Sequence, residues 1–228
     1  TKITPAGVTT TTWATTGTNP QAIAIDSADN VYTANTGSNS VTKITPAGVT
    51  TTFGGTTGSS PIGIAIDSAG NVYTANLSSN SVTMIRPGGV TTTFGGTTGT
   101  QPMSIAIDSE GNVYTANYGS QNVTKITPAG VASTFGGTTG TFSTGIAIDA
   151  AGNVYITNRG PNSVTKITPA GVTTTFGGTT GSRPSGIAID ATGNVYTANY
   201  GSNSVTKIAP NGTTIPFGGA TGTQPMSV

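Results

Sequence analysis

The sequence predicts an all-β fold built from one unit that is repeated along the chain. The string Ile-Ala-Ile-Asp starts at residues 23, 64, 105, 146 and 187, and each step is 41 residues (64 − 23). Short runs of β-branched residues alternate with turn signals inside each unit, and no run has the period of a helix. A unit of about 40 residues that contains four strands is typical of one blade of a β-propeller.

The four strands of a unit are clearest near the C-terminus. The first strand, residues 186–190, leads into a hairpin turn in which Gly193 supplies a positive φ. The second and third strands are predicted at residues 195–199 and 205–208, with a polar loop between them. A Pro-x-Gly turn precedes each fourth strand, such as residues 172–176, and a Gly-Gly loop leads to the next unit.

The repeat accounts for the whole sequence, so we expect a single β-propeller domain over residues 1–228. Six blades need 6 × 41 = 246 residues, and the sequence has 228. We therefore expect six-blade geometry with an incomplete last blade, whose exposed strand edges favour pairing with a second copy. The expected divisions are a half blade at 1–22 and repeats at 23–63, 64–104, 105–145, 146–186 and 187–227.

Composition excludes several kinds of site. The sequence has no His and no Cys, with 8 Lys plus Arg and 7 Asp plus Glu. It cannot supply an imidazole base or a thiolate, and its net charge of +1 does not favour nucleic acid as a partner. No apolar run approaches the ~20 residues of a membrane span, so we expect no membrane insertion. Low charge with abundant Thr and Asn favours an extracellular or cell-surface location in bacteria.

Residues 184–196, Pro-Ser-Gly-Ile-Ala-Ile-Asp-Ala-Thr-Gly-Asn-Val-Tyr, resemble the NHL repeat. The resemblance extends to every unit and implies a six-bladed β-propeller. NHL repeats commonly have Asp at the end of the second strand, whereas this sequence has Asn there. The loss of the carboxylate argues against an ion-binding role. The positions that carry Asn instead are Asn35, Asn76, Asn117, Asn158 and Asn199.

Enzymes with similar propellers include lactonases, streptogramin lyases and amidating lyases, which use His, Glu or Asp at the central axis. This sequence has no His and a single Glu, Glu110. The resemblance therefore supplies a fold but no matching set of catalytic side chains, and we identify no catalytic residue, no metal ligand and no cofactor.

Three polar positions recur in most units, and each has a functional and a structural interpretation. The repeated Asp either forms a carboxylate ring for calcium or accepts N–H groups in its own turn, and the adjacent Gly and Asn favour the turn. The repeated Asn either binds a polar ligand such as a sugar or is a structural amide. The repeated Lys of the third strand is expected to be solvated. The Asp positions are Asp26, Asp67, Asp108, Asp149 and Asp190.

The units differ most in two loops: the loop between the second and third strands, and the loop from the fourth strand to the first strand of the next unit. Propeller topology places both loops on the same face. Because Tyr, Phe and Arg anchor many interfaces, we predict that this face binds a ligand, and that residues 118, 142, 159, 183 and 200 form one arc. Drift at tolerant loop positions is the alternative. The candidates are Thr36, Leu77, Tyr118, Arg159, Tyr200, Gln101, Phe142, Arg183, Gln21, Ile62 and Met103.

We therefore expect a non-enzymatic binding or scaffold propeller, with a protein or glycan as its partner. Two alternatives stay open: a lactonase or lyase-type enzyme, and a structural repeat unit of a surface protein or of a designed repeat protein. One irregularity is separate from this choice. Trp13 stands where the next unit has Gly54, which predicts a bulge or a shifted register in the first outer strand.

Overall fold

A computed structural model describes residues 2–3, 9–10, 14, 16–217 and 224–226, with the backbone alone for the first two pairs. The described chain is all-β and contains five four-stranded antiparallel sheets, each made of four strands consecutive in sequence. A further pair of short strands, β1 (Lys2–Ile3) and β2 (Thr9–Thr10), is also antiparallel. Among these residues no helix is long and apolar enough to cross a membrane.

The five sheets have nearly equal strand bounds, as expected for copies of one unit. The first sheet contains β3 (Pro20–Ile25), β4 (Val31–Asn35), β5 (Ser40–Ile44) and β6 (Thr50–Thr52). The second contains β7 (Pro61–Ile66), β8 (Val72–Asn76), β9 (Ser81–Ile85) and β10 (Thr91–Thr97). The third contains β11 (Pro102–Ile107), β12 (Val113–Asn117), β13 (Asn122–Ile126) and β14 (Ala132–Phe135). The fourth contains β15 (Ser143–Ile148), β16 (Val154–Asn158), β17 (Ser163–Ile167) and β18 (Thr173–Phe176). The fifth contains β19 (Pro184–Ile189), β20 (Val195–Asn199), β21 (Ser204–Ile208) and β22 (Thr214–Phe217).

The sequence places these strands to within about two residues of their observed bounds. The first strand of the last sheet begins at Pro184 rather than residue 186, and its register with β20 shifts between Pro184 and Gly186. The same shift occurs beside Ser143, which replaces this Pro in the fourth sheet, so the bulge is common to the sheets and does not depend on Pro. Gly193 has φ 81° and closes the hairpin as expected. The irregularity expected at Trp13 lies outside the described residues.

Apolar side chains are buried between consecutive sheets rather than in one central core. In the first interface Tyr32 and Phe53 pack with Ile64 and Ile85 of the next sheet. The Tyr32 and Phe53 rings meet edge to face, with centroids 5.1 Å apart. Four such clusters recur among the described residues, which explains how a chain with 33% hydrophobic residues buries enough apolar surface.

The first strands of consecutive sheets contact one another in the order β3, β7, β11, β15 and β19. These five strands therefore surround a common axis, and the fourth strand of each sheet lies at the outer edge. The ends of the first strands that begin near Pro20 and its equivalents frame the opening described next.

Candidate functional site

The two variable loops of each unit are hydrogen-bonded to each other. In the first sheet the N–H groups of Thr36 and Gly37 donate to the carbonyl oxygens of Asn19 and Thr18, both at 3.0 Å. The same pairing recurs in the other four sheets, for example from Tyr118 N–H to the Gln101 carbonyl at 2.9 Å. The variable loops therefore share one end of the molecule, as propeller topology predicts. We call this end the loop face.

The repeated Asn stands beneath the loop face as a buried structural amide. In the second sheet Asn76 is fully buried, and its Nδ2 donates to Thr83 Oγ1 at 2.9 Å and to Ser81 Oγ at 3.2 Å. Its Oδ1 accepts a bond of 2.9 Å from Thr74 Oγ1. Thr83 Oγ1 in turn accepts the N–H of Gly58, so the amide connects the sheet to the loop. Its direct side-chain partners are hydroxyls rather than loop backbone.

The repeated Asp lies at the opposite end and closes the turn between the first two strands. Asp108 Oδ1 accepts the N–H groups of Glu110 and Asn112 at 3.0 and 2.8 Å. Its Oδ2 accepts Asn112 Nδ2 and Tyr114 Oη. The other four turns repeat this pattern, and the described residues contain no group of three His, Cys, Asp or Glu placed to hold a metal ion.

The repeated Lys of the third strand is half-buried, which differs from the solvated position expected. Lys43 Nζ lies 5.6 Å from the ring centroid of Tyr32 and 5.9 Å from that of Phe53. The ammonium is attracted to the two ring faces while its stem covers apolar surface. In the second sheet Met84 fills this position and is buried against the equivalent pair.

A cavity of about 550 Å³ opens on the axis, lined by side chains from the first strands of all five sheets. Four of the sequence-predicted residues line it: Gln21, Ile62, Met103 and Arg159. The first three occupy equivalent positions in β3, β7 and β11, immediately after the repeated Pro. Its volume is within the range usual for small-molecule sites.

Beside this cavity, contacts connect five of the predicted residues across three sheets. Tyr118 stacks on Phe142, with centroids 5.0 Å apart and an interplanar angle of 30°. The Phe142 carbonyl accepts the N–H of Arg159 at 3.1 Å. The guanidinium carbons of Arg159 and Arg183 lie 5.7 and 5.1 Å from the ring centroid of Tyr200. We call these five residues the aromatic–arginine arc.

Two members of the arc have an unusual backbone conformation. Phe142 and Arg183 precede the first strand of their sheets, with φ of 60° and 53°. Asn, Ser or Gln fills the equivalent position in the other units, also at positive φ. Positive φ is costly for a bulky side chain such as Phe, and strain of this kind concentrates at functional sites.

The remaining predicted residues have local roles. Thr36 Oγ1 donates a 2.7 Å bond to the Pro61 carbonyl and so connects two sheets. Leu77 is half-buried, and its N–H bonds to the Ser60 carbonyl. Gln101 is exposed, and its N–H donates to Asn80 Oδ1. None of these three side chains lines the axial cavity.

The fourth sheet holds a polar cluster beside Arg159 that the sequence interpretation missed in part. Thr157 Oγ1 is buried and accepts the N–H of Gly145 at 2.8 Å. It also lies 3.1 Å from Thr144 Oγ1 and bonds to the Ser185 carbonyl. The signal was present in the sequence, because β16 reads Val-Tyr-Ile-Thr-Asn where the other second strands read Val-Tyr-Thr-Ala-Asn.

Arg159 lines the cavity, belongs to the arc and lies two residues after Thr157 of this cluster. Its Nε is buried and has no hydrogen-bond acceptor within the described part of the chain. A buried donor without an acceptor is destabilising by about 1–3 kcal/mol, and a ligand that supplies an acceptor removes that cost. The loop face therefore presents a concave opening with an unpaired donor and aromatic surface beside it.

Comparison with known proteins assigns the fold to a family. The model of the virginiamycin B lyase family matches residues 9–221. The chain belongs to the virginiamycin B lyase family. This is a β-propeller family, and it is related in kind to the NHL-type propellers that the repeat resembles. No curated protein matches the sequence.

Solved structures of virginiamycin B lyases share this fold. The selenomethionine-substituted enzyme from Staphylococcus aureus has a TM-score of 0.82 at 20% identity, covering 92% of this chain and 73% of its own. A streptogramin B lyase gives 0.82 at 16% identity, covering 92% and 72%. A catalytically inactive His-to-Ala variant of the S. aureus enzyme with quinupristin gives 0.80 at 20% identity, covering 88% and 70%.

The expectation of a non-enzymatic binding or scaffold propeller for a protein or glycan is wrong. The matched family and the similar solved structures are virginiamycin and streptogramin B lyases, which are enzymes. The lyase alternative is the one that these findings support. The expectation was wrong because it took the absence of His and the small number of acidic residues as evidence against catalysis. Composition does not say which of the remaining ionisable groups the fold brings together.

Proposed function

We propose that this protein is a lyase of the virginiamycin B type that acts at the axial cavity on the loop face. The observation that carries the proposal is the position of Arg159. This residue lines the cavity, has a buried Nε without an acceptor in the described chain, and stands beside the Tyr200 ring. Membership of the virginiamycin B lyase family supports the class of reaction.

Among these 228 residues the proton acceptor has to be a side chain other than histidine. A lyase breaks a bond by elimination, which requires a group that removes a proton and a group that stabilises the departing negative charge. The inactive His-to-Ala variant among the similar structures shows that its parent depends on a His, and this 228-residue sequence has none. The chain therefore requires another ionisable side chain for the first task.

Tyr200 and Arg159 are the pair best suited to the two tasks. Tyr is among the side chains that act as general bases, whereas Arg stays protonated and donates hydrogen bonds to an anion. In this proposal Tyr200 is the side chain that takes the proton, and the Arg159 guanidinium stabilises the negative charge on the leaving group. The short separation between this guanidinium and the Tyr200 ring supports their joint action on one bound molecule.

The test is incubation of the intact chain with quinupristin, followed by mass spectrometry of the products. Elimination conserves the mass of the substrate in its products, whereas hydrolysis adds the mass of one water. We expect conservation of mass, and we expect Tyr200→Phe and Arg159→Gln each to lower the rate by about 10²–10⁴-fold. No turnover of quinupristin or other streptogramin B compounds, or products that contain added water, contradicts the proposal.

Arg86→Gln is the matched control because it removes one guanidinium at the opposite end of the sheet. Arg86 follows β9 and precedes the turn to β10, away from the loop face. We expect its turnover to equal that of the unmodified chain. Equal losses in Arg86→Gln and Arg159→Gln contradict a local role for Arg159.

We also infer six-blade geometry, as the sequence predicts. Ser185 Oγ donates to the Pro225 carbonyl at 3.3 Å, which repeats the 3.1 Å bond from Thr144 Oγ1 to the Pro184 carbonyl. Residues 225–226 therefore stand beside β19 as β19 stands beside β15. A crystal structure in which β19 packs directly against β3 contradicts six-blade geometry. Pairing of two copies through the incomplete blade and an extracellular location both stay predictions.

A further inference from the structure

Charge is divided unequally between the two ends of the sheets. All seven Asp and Glu residues belong to turns between first and second strands, at the end away from the loop face. The loops of the opposite end carry two charged side chains between residues 16 and 217, Arg159 and Arg183. A five-residue strand such as β16 separates the two ends by about 16 Å. This distance exceeds the Debye length of ~8 Å at physiological ionic strength, so the carboxylates do not neutralise the two guanidiniums.

The two guanidiniums approach the same aromatic ring. Arg159 and Arg183 both lie within 6 Å of the Tyr200 ring centroid, at 5.7 and 5.1 Å. Each guanidinium is attracted to the ring by a cation–π interaction. An anion that reaches both guanidiniums is attracted to each of them and supplies an acceptor for the buried Arg159 Nε.

An aromatic surface adjoins these cations. Phe142 is 45% exposed although it is a large apolar side chain, and it stacks on Tyr118. The Phe142 carbonyl is bonded to the Arg159 N–H, so the stacked rings and the first guanidinium belong to neighbouring residues of the site. An exposed ring beside a cation suits a ligand that has both a planar apolar group and a negative charge.

We propose that the aromatic–arginine arc recognises an aromatic carboxylate, or the same group within a larger molecule. The carboxylate binds Arg159 and Arg183, and the planar group packs against the exposed part of Phe142. This inference rests on the proposed function because it names the chemical class of ligand for the same site. A neutral sugar, which an aromatic surface also binds, can accept hydrogen bonds from the two guanidiniums but supplies no negative charge to them.

The test uses 2-naphthoate as the probe, followed by isothermal titration calorimetry in low-salt buffer without phosphate. Two matched compounds separate the two features: 2-naphthalenemethanol lacks the charge, and cyclohexanecarboxylate lacks the aromatic ring. We expect each to bind at least tenfold more weakly than 2-naphthoate. We expect added NaCl to weaken 2-naphthoate and to leave the alcohol unchanged. Equal affinity for naphthoate and the alcohol overturns the proposal.

Variants locate the binding. Arg159→Gln and Arg183→Gln are each expected to raise the Kd of 2-naphthoate about tenfold or more. Arg86→Gln is expected to leave it unchanged. Arg183 is exposed, so its variant keeps the test decisive if Arg159→Gln fails to fold, which circular dichroism detects. An unchanged Kd in Arg183→Gln overturns the proposal.

The two proposals of this site fail in different ways. Turnover of quinupristin with no preference for 2-naphthoate over its alcohol contradicts the aromatic carboxylate and leaves the lyase standing. Tight, charge-dependent binding of 2-naphthoate without any turnover contradicts the lyase and leaves the ligand class standing. The binding measurement therefore does not depend on the enzymatic one.

Discussion

The hydroxyl of Tyr114 donates a 3.0 Å hydrogen bond to Oδ2 of Asp108, six residues earlier. This bond connects the second strand to the turn that precedes it, and it recurs in all five sheets. Burial by itself raises the pKa of the Asp108 carboxyl. The bonds from Asn112, Tyr114 and Glu110 outweigh burial and hold that pKa below its ordinary value of 3.8.

Stability is therefore expected to fall in acid. The pKa values of Asp26, Asp108 and Asp149 are lowered in the folded chain, so the unfolded chain binds more protons as pH decreases toward 3.8 and below. The free energy of unfolding should be constant near neutral pH and should decrease as pH falls from about 4 through the folded pKa values. Urea unfolding at successive pH values measures this. Asp108→Asn should show a shallower decrease, and a rise in stability on acidification contradicts the argument.

Asn76→Ala is expected to destabilise the fold by about 2–4 kcal/mol. It removes two donated bonds, to Thr83 and Ser81, and leaves the buried Thr74 hydroxyl without its acceptor. Urea unfolding gives the magnitude. Ser78→Ala, an exposed position in the adjoining loop, is the control and should change stability by less than about 0.5 kcal/mol. Similar losses in both variants contradict a structural role for the buried amide.

Two neighbouring glycines offer a matched pair of substitutions. Gly95 and Gly96 have φ of 77° and 73°, so Ala is strained at both. A Cβ at Gly95 stands 2.5 Å from Ile126 Cγ2, whereas a Cβ at Gly96 has nothing within 4 Å. We expect Gly96→Ala to cost about 1 kcal/mol and Gly95→Ala about 3 kcal/mol. Thermal unfolding of the two variants compares them, and equal midpoints contradict the difference in packing.

Phe142→Asn separates binding from folding. The equivalent residue of the first unit is Asn19, with φ of 51°, so Asn fits this backbone with less strain than Phe. The substitution also removes the stack on Tyr118, and the two effects offset each other. We expect a stability change within about 1 kcal/mol and a Kd for 2-naphthoate raised about tenfold. A large loss of stability with unchanged affinity shows instead that Phe142 is a packing residue.

Much of the fold is readable from the repeat. Each blade is specified locally by alternation along its strands and by turns whose Asp and Gly recur at fixed spacing, as at Asp190 and Gly193. Disagreement between units also located the loop face, because the positions that vary are those without a role in the turn or ladder. The role of Thr157 was not predictable from the repeat, because its partner Ser185 belongs to the next sheet.

The sequence by itself determined an all-β chain of four-stranded units and the end of the sheets where the units differ. The tertiary structure alone decided that Arg159 and Arg183 both approach Tyr200, and that Arg159 reaches the axial cavity. The physical reason is the distance along the sequence between the residues that make each contact. Strands and turns follow from spacing within one unit, whereas the Arg159–Tyr200 contact joins residues 41 positions apart (200 − 159). Only the packing of one sheet against the next brings such residues together.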